Sequence, residues 1–222
     1  MYKFNKKAIA FTLAEVLMVL GIIGVVATIT LPNLGDSTDQ QVNVAKAKKI
    51  YSELSTSWDK YTLRHDVASN ITATALVNAI NTNLKVKGKS YIYKIDVPAC
   101  TTNTECLNIA TLLPDGSTYS AVSRSSSQYS YYNIYFDVDG PNKGDNTFGS
   151  DIFAASITFR SGVAETPSLE PFLQTDSLKT LSSIMVTGGA VSKDDGLLWI
   201  LTNDNMDFNN CTVSWVNKLT CN

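Results

Sequence analysis

The sequence predicts an α+β fold in which one long N-terminal helix packs on a C-terminal antiparallel β-sheet domain. Three observations point there. Residues 16–31 carry no charge, so a long apolar segment opens the chain. Beyond it, Ala47, Ile50, Tyr51, Leu54 and Trp58 recur at three- and four-residue steps, the period of a helix with one buried face. The remainder is rich in Ser, Thr and Asn, and only 17% of all residues are charged, which favours strands and loops over a helical bundle.

The first seven residues hold Lys3, Lys6 and Lys7 and no acid. The apolar run that follows, residues 8–31, is long enough to cross a bilayer as a helix, which takes about 20 residues. The positive-inside bias places the N-terminus in the cytoplasm and the remainder outside. One carboxylate, Glu15, interrupts the run. A charge within a membrane helix is expensive unless something neutralises it. Pro32 then removes a backbone donor and Gly35 loosens the chain, so a local bend or melted turn is expected over residues 32–38. The amphipathic pattern resumes at Gln40 and runs to Arg64. A rod over residues 11–64 would be about 80 Å long at about 1.5 Å per residue.

Residues 67–84, with Ile71, Leu76, Ile80 and Leu84, predict a second, short helix. Strands are expected at 90–96, 117–123, 131–136, 152–159 and 182–186, and the apolar run 197–201 reads as a buried strand. Residues 105–113 are apolar but ambiguous. Leu113-Pro-Asp-Gly116 is a turn, 125–130 a polar loop, and 164–176, with two prolines, irregular. No internal repeat and no linker between two domains is visible.

The N-terminal segment admits three readings. A cleaved secretory signal has about 7–15 apolar residues and a small-x-small cleavage site; this run is longer, and no clean site follows Leu31. A permanent single-span anchor leaves Glu15 without a purpose. The third reading is a resemblance: Ala10-Phe-Thr-Leu-Ala-Glu15-Val-Leu resembles the processing and methylation motif of type IV prepilins and type II secretion pseudopilins. The motif is specific, and the resemblance covers about the first 35 residues closely. It implies cleavage by a prepilin peptidase between Ala10 and Phe11, followed by methylation of the new amine. Ala10 departs from the usual Gly, which implies slower processing.

The same resemblance implies that Glu15 pairs with the N-terminal amine of a neighbouring subunit, with Phe11, Glu15 and Pro32 at the family spacing. Removing one partner of a buried pair is strongly destabilising, so Glu15 would set register more than it adds stability. The competing reading is a carboxylate snorkelling to the membrane surface. The implied organisation is a leader (1–10), a transmembrane or filament-core helix (11–34), its amphipathic continuation (35–66) and a globular α+β head (67–222), a pilin-like shape. The implied function is a structural subunit of a type IV pilus or pilus-like filament. The implied partners are copies of itself or other pilin-like subunits, the prepilin peptidase, the inner-membrane assembly platform and, before assembly, the membrane. The implied location is the inner membrane for the precursor, then an extracellular or periplasmic filament. Two alternatives stand beside it: a pseudopilin of a type II secretion system, and an exported calcium-binding domain held by a single span that does not polymerise.

Formal net charge is −2, and loss of the three leader lysines makes the processed chain more acidic. A broad basic face for nucleic acid is therefore not indicated. Lys85-Val-Lys87-Gly-Lys89 is a small exception and reads as a solvated turn. Four cysteines form two near pairs, Cys100 with Cys106 and Cys211 with Cys221. An even count beyond an export segment suggests disulfides. Sequence alone permits three pairings; local closure of both short polar loops is the expected one. A four-thiolate zinc site lacks the Cys-x2-Cys spacing.

Residues 137–151 pack four carboxylates, two amides and three glycines into fifteen positions. Calcium takes six to eight hard oxygen ligands. Asp137, Asp139, Asp145 and Asp151 are the candidate carboxylates, with Asn142 and Asn146 as helpers. The spacing is not that of an EF-hand. It is similar to an Asp-x-(Asp/Asn)-Gly segment followed by Asp-(Ile/Val)-Phe in large pilin-like proteins, and major pseudopilins carry a calcium-binding loop after their strands. The other reading is a long hairpin connection whose Asp139, Asn142 and Asp145 cap their own turns. No enzyme is expected: His65 is alone, no Gly-x-Ser-x-Gly occurs, and Gly188-Gly189 lacks the context of a phosphate loop. Asn70-Ile-Thr72 and Asn210-Cys-Thr212 fit the short glycosylation sequon.

Overall fold

A computed structural model describes residues 12–92, 109–125, 129–140, 143, 146–160, 167–172, 191–209 and 211–215. For residues 28–37, 89–92, 109, 124, 125, 129, 160 and 194 the backbone alone is described. The chain forms two compact units, Met1–Asp39 and Gln40–Asn222. The expected α+β architecture is present.

Helix α1, Leu13–Thr62, is 50 residues long. It passes through Pro32 and Gly35 without a break in helical backbone, so the melted turn expected at 32–38 is absent. Pro forfeits one hydrogen bond, and a long apolar helix retains enough others to hold its backbone on both sides. Among the described residues no helix is long and apolar enough to cross a membrane.

Within the second unit, α1 buries Val44, Ala47, Ile50, Leu54 and Trp58 on one stripe, as the periodicity predicts. Helix α2, Ala73–Asn81, starts at the Thr72 N-cap, whose hydroxyl accepts the Ala75 N–H at 3.1 Å. It buries Leu76, Val77, Ala79 and Ile80. The sheet is a six-stranded antiparallel meander in the order β1 to β6. Its strands are Gly88–Ile92 (β1), Ile109–Leu112 (β2), Thr118–Ser125 (β3), Tyr129–Asp137 (β4), Ile152–Arg160 (β5) and Leu169–Pro171 (β6). Strand alternation sends Tyr119, Phe136 and Phe153, which lie opposite one another, into the core shared with α1 and α2. The other parity, with Val122, Tyr135, Ile152 and Ala154, builds a second cluster with Phe148. Each fully buried Leu or Ile contributes about 1.5–3 kcal/mol.

Two expectations are corrected. Residues 164–176 are not wholly irregular, because β6 pairs with β5. Trp58 Nε1 donates to the Pro167 carbonyl at 2.7 Å and Tyr51 Oη to the Leu169 carbonyl at 2.9 Å, which fastens this segment to α1. Pro171 is tolerated because β6 is an edge strand. The run 197–201 is helical, not a strand: it lies in α3, Gly196–Asn203. Leu197, Leu198, Trp199 and Ile200 are all buried, so the run has no readable period. The Ser192–Asp195 capping box starts a short 3-10 turn that leads into α3, and Asp204 ends the helix at φ 61°. The strand expected at 182–186 and residues 93–96 of the one expected at 90–96 lie outside the described residues.

Candidate functional site

Two places carry the sequence-predicted residues. At the start of α1, Glu15 occupies the first helical turn. The Thr12 N–H and the Thr12 hydroxyl both donate to Glu15 Oε2 at 2.9 Å, and the Glu15 N–H donates to Thr12 Oγ1 at 3.3 Å. This is a reciprocal capping box, in which each side chain satisfies a backbone donor that a helix end leaves open. Sequence reasoning missed Thr12, although Thr-x-x-Glu ahead of an apolar run is the signature of such a box. Ala10 and Phe11 lie outside the described residues. The next turns present apolar side chains all round: Leu13, Leu17, Met18, Leu20, Ile22, Ile23 and their neighbours to Val26 are between 45% and 80% exposed. Nothing in the second unit's hydrophobic clusters includes them.

The second place is the connection from β4 to β5. Asp137 closes β4 and is fully buried. Its Oδ1 accepts the Asp139 N–H at 3.1 Å and the Gly140 N–H at 2.8 Å. Asp151 is also buried, and its Oδ1 accepts the Thr147 N–H at 2.6 Å. The Val138 N–H donates to the Asp151 carbonyl at 2.9 Å, joining the two ends of the loop. Asn43 of α1 donates to the Ser150 carbonyl at 3.3 Å, and Asn209 donates to the Gly149 carbonyl at 2.8 Å. Gly140 and Gly149 hold φ of +94° and +83°. A Cβ on Gly140 would meet the Gly116 carbonyl oxygen at 2.4 Å, so this loop seats against the β2–β3 turn.

The electrostatics of the loop centre on Asp139. One of its oxygens, Oδ1, is buried and has no hydrogen-bond partner. Burial pushes its carboxyl up from 3.8 to about 6; a hydrogen bond with Asp137 and the Asp137 charge add to the rise, and Lys46 of α1 opposes it. Burial also raises Asp151, the Asp139 charge adds to this, and the Thr147 N–H opposes it. The charge of Asp137 beside Asp139 thus adds to what burial already does, holding the Asp139 carboxyl in its neutral form to a higher pH.

Asp137, Asp139 and Asp151 thus come to one loop base, whereas Asn142 and Asp145 lie outside the described residues. Asn146 is described, at φ 47°. Among the described residues, no group of three or more His, Cys, Asp or Glu side chains stands ready to hold a metal ion. Among the described carboxylates of this loop, Asp139 Oδ1 is buried without a hydrogen-bond partner, whereas Oδ1 of Asp137 and Oδ1 of Asp151 accept backbone N–H groups.

The remaining candidates lie elsewhere in the chain. His65 stacks on Tyr61 at 4.4 Å, with its Nδ1 3.1 Å from the Tyr61 carbonyl. Cys211 is bonded in a disulfide whose other half lies outside the described residues, as do Cys100, Cys106 and Cys221. Lys48 pairs with Asp204 at 2.6 Å, which ties α1 to the end of α3. Comparison with family models, curated proteins and solved structures returned no match to this chain.

Proposed function

We propose that this chain is a structural subunit of a type IV pilus or pilus-like filament, cut between Ala10 and Phe11 and polymerised through the first half of α1. The observation that carries the reading is the helix surface from Leu13 to Val26, apolar on every side and interrupted by one carboxylate. A helix apolar all round requires lipid or other helices around it. Both are supplied in turn: the membrane before assembly, and neighbouring copies of the helix afterwards. Glu15 holds its own helix start through Thr12, and the freed amine of the adjoining subunit competes for the same carboxylate. That pair is correct in one axial register and leaves two uncompensated charges in any other.

The protein is then substrate and building block, not catalyst, in an inner membrane and later in an exported filament. Calcium belongs to the same proposal: its ligands would be drawn from Asp137, Asp139, Asn142, Asp145, Asn146 and Asp151, and the buried Asp139 Oδ1 without a hydrogen-bond partner is the observation that supports it. Its role would be to pin the loop. A type II secretion pseudopilin would share the precursor chemistry and the helix.

Mass spectrometry of the assembled protein tests the reading. The expected N-terminus is N-methyl-Phe11. An intact Met1, or cleavage after Leu31, would overturn it in favour of an anchored domain.

A further inference from the structure

A groove of about 620 Å³ lies in the second unit between α1, the Asn83–Lys85 connection after α2, and the β2–β3 turn at Pro114 and Asp115. Its size is that of a small-molecule pocket. We propose that it binds a small anion through a carboxylate or phosphate group, whether or not the chain forms filaments.

Most of the polar groups around the groove are already committed, and those left over share one character. Ser52, Thr56 and Lys60 follow one another at four-residue steps, so they stand on one face of α1 and line the groove together. The walls are fastened: the Ser57 hydroxyl donates to the Ile80 carbonyl, and Asn83 Nδ2 donates to the Ser57 carbonyl at 3.5 Å. Lys49 is occupied by Asp115 at 2.8 Å and stands 3.9 Å from Glu53. Asp115 is occupied in turn, because it also accepts the Ser117 N–H at 3.2 Å and the Ser117 hydroxyl. Both acids of the groove are thus near Lys49. Lys60 and Lys85 face no carboxylate within 4.0 Å among the described residues, yet both line the same concavity.

The charge still open to a ligand is therefore positive, and the Ser52 and Thr56 hydroxyls beside it can donate. Ammonium groups and hydroxyls within one cleft complement an oxyanion. This also gives Lys85, part of a basic stretch that reads from sequence as a solvated turn, a place in a site.

The test is an amide NMR titration of the full chain in detergent micelles, at constant ionic strength. One arm uses inorganic phosphate, the other glucuronate. Saturable shifts at the amides of Ser52, Thr56 and Asn83 are expected in at least one arm, and the arm that saturates names the source as a phosphorylated ligand or an acidic sugar. A Lys60→Ala, Lys85→Ala double variant should bind about tenfold more weakly or worse, as loss of charge-assisted bonds implies. Lys48→Ala, outside the groove, should bind as the parent does. Shifts that fail to saturate in both arms, or equal affinity in the double variant, would overturn the proposal. A dispersed spectrum for the double variant, matching the parent away from the groove, establishes that its fold is intact.

Discussion

Replacing Asp139 by Asn should stabilise the protein at neutral pH. The wild-type carboxyl is pushed up from 3.8 to about 6, chiefly by burial and then by Asp137. The folded protein consequently binds a proton at this site over a range in which the unfolded chain has released it. Stability from the site is greatest below pH 4, falls as pH rises from about 4 to about 6, and stays low above. A two-unit rise corresponds to about 3 kcal/mol at about 1.4 kcal/mol per unit. Asp139 is only part-buried, so solvent screening lowers this to about 1–2 kcal/mol. The Asn side chain keeps the shape, cannot ionise, and offers Asp137 an amide donor.

The assay is urea unfolding of both proteins from pH 3.5 to pH 8, read as the difference between them, which cancels the other carboxylates. The Asp139→Asn variant should have no advantage at the acid end and about 1–2 kcal/mol at pH 7.5. Added calcium should narrow that advantage by stabilising the wild type alone. A difference that does not vary with pH, or a less stable variant at pH 7.5, would refute the account of the raised Asp139 carboxyl. Equal calcium responses in both proteins would remove the metal from the loop.

Gly140→Ala combines a positive φ with a Cβ 2.4 Å from the Gly116 carbonyl oxygen. It should cost about 2–4 kcal/mol or prevent soluble expression, measured by urea midpoint and yield. Leu54→Ala empties a fully buried position between α1 and the sheet and should lower stability by about 2–5 kcal/mol. Ser192→Ala removes the hydroxyl that donates to Asp195 Oδ2 at 2.9 Å and should cost about 1 kcal/mol. Glu15→Ala should leave cleavage before Phe11 intact while filament yield, scored by electron microscopy, drops sharply; normal assembly in this variant would sink the register argument.

How far the chain could be read depended on whether a residue's role was local. The α1 stripe at Ala47, Ile50, Leu54 and Trp58, and the strands containing Tyr131 and Phe153, were legible because periodicity reports a buried face directly. The segment 197–201 misled because a run buried on all sides has no face. Residues 169–171 misled because donors from Trp58 and Tyr51, over 100 positions away in sequence, make the irregular stretch a strand. Thr12 was legible as a capping partner and was overlooked, its signature being hidden inside the apolar run.

By itself, the order of residues determined a long helix followed by antiparallel strands, the lone acid at position 15 and the crowd of acids between β4 and β5. Each depends on neighbours a few residues apart, where propensity, period and charge act without help. Only the tertiary structure decided which acids lose water and which remain paired. Asp139 rises and Asp115 does not, because burial raises both but Lys49 and Ser117 reach Asp115 and reverse the effect, while Asp137 crowds Asp139. Desolvation and charge contact are set by segments that meet across the fold, and no local pattern encodes that meeting.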